Sequence, residues 1–186
     1  MRIFKPADQF GQIIPNLTIN GKPAPYPVYN DREIRATAGV MFLIGISTFF
    51  YTLFTRDFNL LNYIIPLFFI DFLIKVFQGT QYSPFGIVGA WMVKNQTPEY
   101  VGAIQKRFAW SLGLIMATSM IIIALLFQVR GILPLTLCSI CLLFMWMETS
   151  LGICVGCKIY AWLLKAKILP QPQVRPVCPG GVCSIN

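Results

Sequence analysis

The stretch that decides the fold runs from Gly131 to Leu164: GILPLTLCSICLLFMWMETSLGICVGCKIYAWLL. It reads as an apolar, membrane-spanning helix carrying C-S-I-C at Cys138 and Cys141, one acid at Glu148, and G-I-C-V-G-C at Cys154 and Cys157. Four of the six cysteines in the chain lie here as two C-x-x-C pairs; Cys178 and Cys183 sit in the tail P-V-C-P-G-G-V-C. Thiol chemistry is therefore the first functional expectation.

The rest of the chain agrees with a membrane setting. Of its 186 residues 56% are hydrophobic and only 12% charged, with a mean hydropathy of +0.65, too apolar for an ordinary soluble domain. Several apolar runs approach the roughly 20 residues needed to cross a bilayer. The N-terminal stretch lacks the apolar core of a cleaved signal peptide. The net charge of +8 would point to nucleic acid in a soluble protein. Here it reads as orientation of loops in a membrane, with no nucleic-acid partner.

Working outward, residues 1–30 carry Pro6, Pro15, Pro23, Pro25 and Pro27 and read as an irregular leader. Asn30 or Asp31 then caps a helix with Glu33 in its first turn, facing the positive end of the dipole. Spans are expected at about 36–54, 60–77, 108–127 and 132–153, within a four-span domain over 31–166. A Pro/Gly/Cys tail follows at 167–186. Asp71 and Lys75, four residues apart in the second span, share a helical face and read as a structural ion pair with Lys75 snorkelling. Between spans two and three, Pro84 to Lys94 suits a short interfacial helix anchored by Trp91. The expected fold is thus all-α: a polytopic four-helix membrane bundle with one short interfacial helix.

Of the 15 lysines and arginines, only Arg56 and Arg130 fall in the loops on one side. The positive-inside rule then places both termini in the cytoplasm.

On a straight helix, Cys138 and Cys141 lie roughly 9–14 Å in from the outer end of span four, and Cys154 and Cys157 about 20 Å further along. The two pairs therefore cannot share one tetrahedral zinc, whose bonds to sulfur are only about 2.3 Å. At about 100° per residue, Cys138, Cys141, Met145 and Glu148 cluster on one face, with Cys154 nearly opposite. The pairs form one stripe only where the helix kinks or ends, and Gly152 and Gly156 are the places for that. A break at Gly152 leaves Cys154 at the start of a new helix, whose dipole stabilises a thiolate.

Plainer readings stand beside these. Cysteine is also a small buried hydrophobe that lets membrane helices pack closely. Glu148, costly unpaired in a span, is expected neutral or paired, with a proton-transfer or a structural role. Met120, Met145 and Met147 read as packing residues. Cys178 and Cys183, around Pro-Gly-Gly, suit a hairpin disulfide or a mobile thiol arm.

The run Gly152 to Tyr160, G-I-C-V-G-C-K-I-Y, resembles the G-F-C-V-G-C-E-x-Y signature of a bacterial membrane family, domain of unknown function 4395. N-D-R-E-I-R-A-T-A-G (Asn30 to Gly39), Y-S-P-F (Tyr82 to Phe85) and K-R-F-A (Lys106 to Ala109) fit the same family in the same order. The resemblance covers residues 30 to about 164 and departs at Ile153, usually Phe, and Lys158, usually an acid. It implies a four-helix protein of the bacterial inner membrane. Association of members with thioredoxin-like or rhodanese-like domains implies thiol or sulfur-transfer chemistry.

Three functions remain open at this point. One is thiol–disulfide exchange or sulfur relay, with Cys154 and Cys157 as the reactive pair, Cys178 and Cys183 as a cytoplasmic shuttle, and Cys138 and Cys141 as an outer acceptor. The second is binding or transport of a thiophilic metal ion or sulfur anion, with Cys154, Cys157, Cys178 and Cys183 as alternative metal ligands. Otherwise no cofactor is expected. The third is a small structural subunit of a membrane complex.

Overall fold

Long apolar runs that must satisfy their own backbone groups fold as helices. A computed structural model of the protein describes residues 11–19 and 22–169. Among the described residues, four helices are long and apolar enough to cross a membrane: α1 (Asp31–Thr55), α2 (Asn59–Phe77), α4 (Ala103–Met120, continued by a π-helical turn at Ile121–Leu126) and α5 (Ile132–Leu151). The short helix α3 (Pro84–Val93) lies between spans two and three, as expected, and α6 (Val155–Lys165) follows α5.

Local chemistry sets the ends. Asn30 caps α1: its Oδ1 accepts the Arg32 amide (3.2 Å), while its Nδ2 donates to Glu33 Oε1 (3.1 Å). The turn to α2 passes through Arg56 in the left-handed region, and Asp57 Oδ1 accepts the Asn59 amide (2.9 Å). Ser83 Oγ caps α3 by accepting the Gly86 amide (2.9 Å), with Pro84 at the first helical position, where its missing N–H costs nothing.

The leader is less irregular than its prolines suggest. Thr18–Ile19 (β1) pairs antiparallel with Lys22–Pro23 (β2), and Val28–Asn30 (β3) with Tyr100–Gly102 (β4). The second pairing ties the start of α1 to the start of α4. Prolines at strand edges leave the ladder enough donors, which is why the breaker count misreads this segment.

Helix α1 packs on α3 and α5, α2 on α4, and α4 on α6. Between 11% and 33% of each span's most apolar window is buried, so most of that surface points outward, where lipid is the favourable solvent. One inner cluster joins Ile34, Val76, Val101 and Trp110; another joins Phe58, Leu61, Ile65 and Met120, with Cys138 packed against it. Gly89 is where α3 meets α1, since a Cβ there would stand 2.2 Å from Thr37 Oγ1. The short helix therefore packs closely against span one.

Asp71 and Lys75 form the expected ion pair, but Lys75 does not snorkel. Both side chains are buried, and Lys75 Nζ also lies 3.3 Å from Met41 Sδ. The reason is α3: Asp71 Oδ1 accepts the Ser83 hydroxyl (2.6 Å) and the Phe85 amide (3.1 Å), which holds the carboxylate at that helix's N-terminus and its cation beside it.

The stretch Gly131–Leu164 is two helices, not one. Gly152 adopts φ +65°, which only glycine enters cheaply, and the Gly152 and Ile153 amides both turn back to the Met147 carbonyl. Helix α6 then starts afresh with Cys154 as its N-cap. The break falls at Gly152, one of the two expected places. Gly156 lies inside α6.

Candidate functional site

The break places Cys154 and Cys157 at a helix N-terminus. Cys154 Sγ accepts the Cys157 amide at 3.4 Å, an N-cap made by sulfur instead of the usual oxygen. Both thiols are free, and they are 5% and 1% exposed. Ala109 of α4 packs against them. Gly156 makes that approach feasible: a Cβ there would stand 2.5 Å from Ala109 Cβ. The glycine before the pair and the one within it are thus structural necessities, Gly152 for the turn and Gly156 for the contact.

Beside the pair sits a buried cation that sequence reasoning assigned only to loop orientation. Lys106, in the first turn of α4, is 1% exposed. Its Nζ bridges Asp31 Oδ1 at 2.9 Å and Glu148 Oε1 at 2.8 Å, and it interacts electrostatically with both Cys154 and Cys157. The ionic bridge ties the beginnings of α1 and α4 to the last turn of α5. Glu148 is therefore paired, one of its two expected states. Arg35 Nη2 donates to the Thr149 carbonyl (3.2 Å) and lies against Gly152, adding a second cation at the C-terminal end of α5.

A signal for Lys106 did exist in the sequence. A carboxylate at the depth of Glu148 demands a cation at similar depth, and Lys106 is one of few candidates near a span end. Asp31 gave no such signal beyond its place at a helix start.

The hydrogen bond with Cys154 and burial push the Cys157 thiol far above its ordinary range, with Lys106 pulling the other way. Cys157 thus holds its proton and can share it with Cys154 Sγ. That sulfur caps the N-terminus of α6, at the positive end of the helix dipole. Burial likewise raises the Tyr160 phenol, whose ring packs 5.4 Å from Phe108.

Cys138 and Cys141 lie apart on α5 but are not isolated. A cavity of about 160 Å³ between the helices is lined by Cys138, Cys141, Met145 and Glu148, the face expected from helical periodicity, and also by Cys154. The break at Gly152 brings Cys154 to this cavity, to which a continuous helix would have turned its back. Cys178 and Cys183 lie outside the described residues. Among the described residues, no three His, Cys, Asp or Glu side chains are grouped as metal ligands would be.

The chain matches the family described as Domain of unknown function (DUF4395) over residues 29–165. The chain belongs to this family. The matched region starts one residue before the Asn30 cap and ends at the last residue of α6, so it takes in the four spans, the ionic bridge and both C-x-x-C pairs. No curated protein and no solved structure matches the chain.

Proposed function

We propose that this DUF4395 protein is a thiol–disulfide or sulfur-relay protein of the bacterial inner membrane, acting through Cys154 and Cys157. The observation that carries the reading is the position of Cys154: helix N-cap, next to a buried lysine, three residues before a thiol that keeps its proton. In exchange, the Cys154 thiolate attacks a partner disulfide, forming a mixed disulfide and expelling the partner's other sulfur as thiolate. That thiolate takes the Cys157 proton. Cys157 then attacks Cys154 Sγ, closing the Cys154–Cys157 disulfide and releasing the partner with two electrons gained. In sulfur relay, the same thiolate takes the outer sulfur of a partner persulfide and releases the partner as thiolate; Cys157 then attacks Cys154 Sγ, closing the Cys154–Cys157 disulfide and releasing the outer sulfur as hydrosulfide.

Burial of the pair means the partner gains access by parting α6 from α4 around Ala109 and Gly156. A thioredoxin-like or rhodanese-like protein is the partner of suitable chemistry, with Cys178 and Cys183 as a shuttle. The charge asymmetry of the loops supports cytoplasmic termini, and it persists when the buried Lys75 and Lys106 are set aside. Cysteines introduced in the leader and at Lys94, in a cysteine-free background, should label only from the cytoplasmic side; labelling from outside intact cells reverses the orientation.

The reaction is tested by trapping. Cys157→Ser incubated with an oxidised thioredoxin-like domain should accumulate a mixed disulfide at Cys154, and Cys154→Ser should not, with both variants folding normally. Resistance of both thiols to alkylation until denaturation would leave packing as their role.

A further inference from the structure

The cavity between the spans has a feature the reaction above does not use: its wall is rich in sulfur. Cys138, Cys141 and Met145 project from one face of α5, at spacings of three and four residues. Met116 and Met120 project from one face of α4, four residues apart, into the same cavity. Between the two stripes, Cys141 Sγ lies 3.9 Å from Met116 Sδ. We infer that Cys138, Cys141 and Met116 form a binding site for a soft monovalent metal ion, the cuprous ion, within the membrane-spanning bundle.

Geometry, donor type and charge each support the assignment. Two sulfurs bound to one metal at about 2.3 Å stand about 3.8–4.0 Å apart for tetrahedral or trigonal angles, so the Cys141–Met116 pair already has the span of a ligand pair. Cys138 is one helical turn from Cys141 on the same face and supplies the third donor. Thiolate and thioether ligands select copper(I), whereas hard cations require oxygen, which this wall offers little of beyond Glu148 at its far end. The ion displaces one thiol proton to solvent and pairs with the thiolate that remains, so the site stays neutral, as a membrane interior requires. A divalent ion leaves an uncompensated charge there unless both thiols ionise. None of the three ligands belongs to the Cys154–Cys157 mechanism, so the two readings stand or fall separately.

The experiment uses the full chain in detergent, with Cys178→Ser and Cys183→Ser so that the tail cannot contribute. Copper(I) is titrated anaerobically against the chelator bicinchoninate, and the loaded protein is examined by X-ray absorption at the copper edge. One copper per chain is expected, in an all-sulfur shell of three ligands at about 2.3 Å. Met116→Leu, close in volume and apolar, should weaken binding by about ten- to a hundredfold. Cys138→Ser with Cys141→Ser should abolish it, and Cys154→Ser with Cys157→Ser should leave it unchanged. Complete retention of copper by the chelator overturns the inference. So does binding indifferent to Met116 and the outer pair, or lost with the inner pair. Should the outer double variant fail to fold, Met116→Leu and the ligand count decide.

Discussion

Replacing Lys106 by methionine tests the ionic bridge directly. The ammonium is buried between two carboxylates, at 2.9 Å from Asp31 and 2.8 Å from Glu148. Methionine fills nearly the same volume, so the change is in charge rather than packing. Removing one member of a buried pair leaves its partner uncompensated and costs about 3–5 kcal/mol. Here two carboxylates are stranded together, so the loss belongs at the upper end of that range. For a chain of this size it corresponds to a fall of about 6–20 °C in Tm. Glu148→Gln is the control: the bridge from Lys106 to Asp31 survives and Gln still accepts a hydrogen bond, so about 1 kcal/mol is expected. The triple variant Asp31→Asn, Lys106→Met, Glu148→Gln should recover much of the stability lost in Lys106→Met, because no charge is left unpaired. Unfolding of the detergent-solubilised protein, followed by tryptophan fluorescence, reads all three. Equal damage from Lys106→Met and Glu148→Gln, or a triple variant no better than Lys106→Met, would refute the buried-bridge reasoning.

Asp71→Asn should destabilise more than Asp71→Asn combined with Lys75→Gln, since only the single variant strands a buried cation; equal unfolding midpoints would show that Asp71 acts chiefly through Ser83 and Phe85 at the start of α3. Gly156→Ala should cost about 1–3 kcal/mol and speed alkylation of Cys154, because its Cβ forces α6 away from Ala109; unchanged stability and labelling would show that the helices separate freely. Stability should also fall on the alkaline side. Cys157 holds its proton in the folded chain above its ordinary value of 9.0. The folded state therefore binds more protons than the unfolded one from about pH 9 upward, and stability declines as pH rises. The raised phenols of Tyr29 and Tyr160 act in the same direction above about pH 10. Cys157→Ser should flatten the first part of that decline, and an unaltered slope in unfolding midpoints from pH 8 to 10 would contradict it.

The four spans, the short helix between the second and third, a cap at Asn30 or Asp31 and the Asp71–Lys75 pair were legible in the sequence because each is a local property. Hydrophobic length, capping chemistry and i,i+4 spacing act within one or two turns of chain. The break at Gly152 was legible as one of two alternatives, since glycine tolerates a left-handed turn but also serves close packing. Only the tertiary structure assigned those roles, with the turn at Gly152 and the α4–α6 contact at Gly156. It also turned Lys106 from a loop charge into the buried partner of Asp31 and Glu148, residues 75 and 42 positions away in the chain. No local pattern encodes which carboxylates a lysine meets, because that depends on how α1, α4 and α5 converge. The same convergence set Met116 of α4 against Cys141 of α5, and the break at Gly152 turned Cys154 toward the cavity they line. Sequence fixed which residues could carry soft-ligand or thiol chemistry; the packing of helices far apart in the chain decided which of them share a site, because contact energies between them exist only once the bundle has closed.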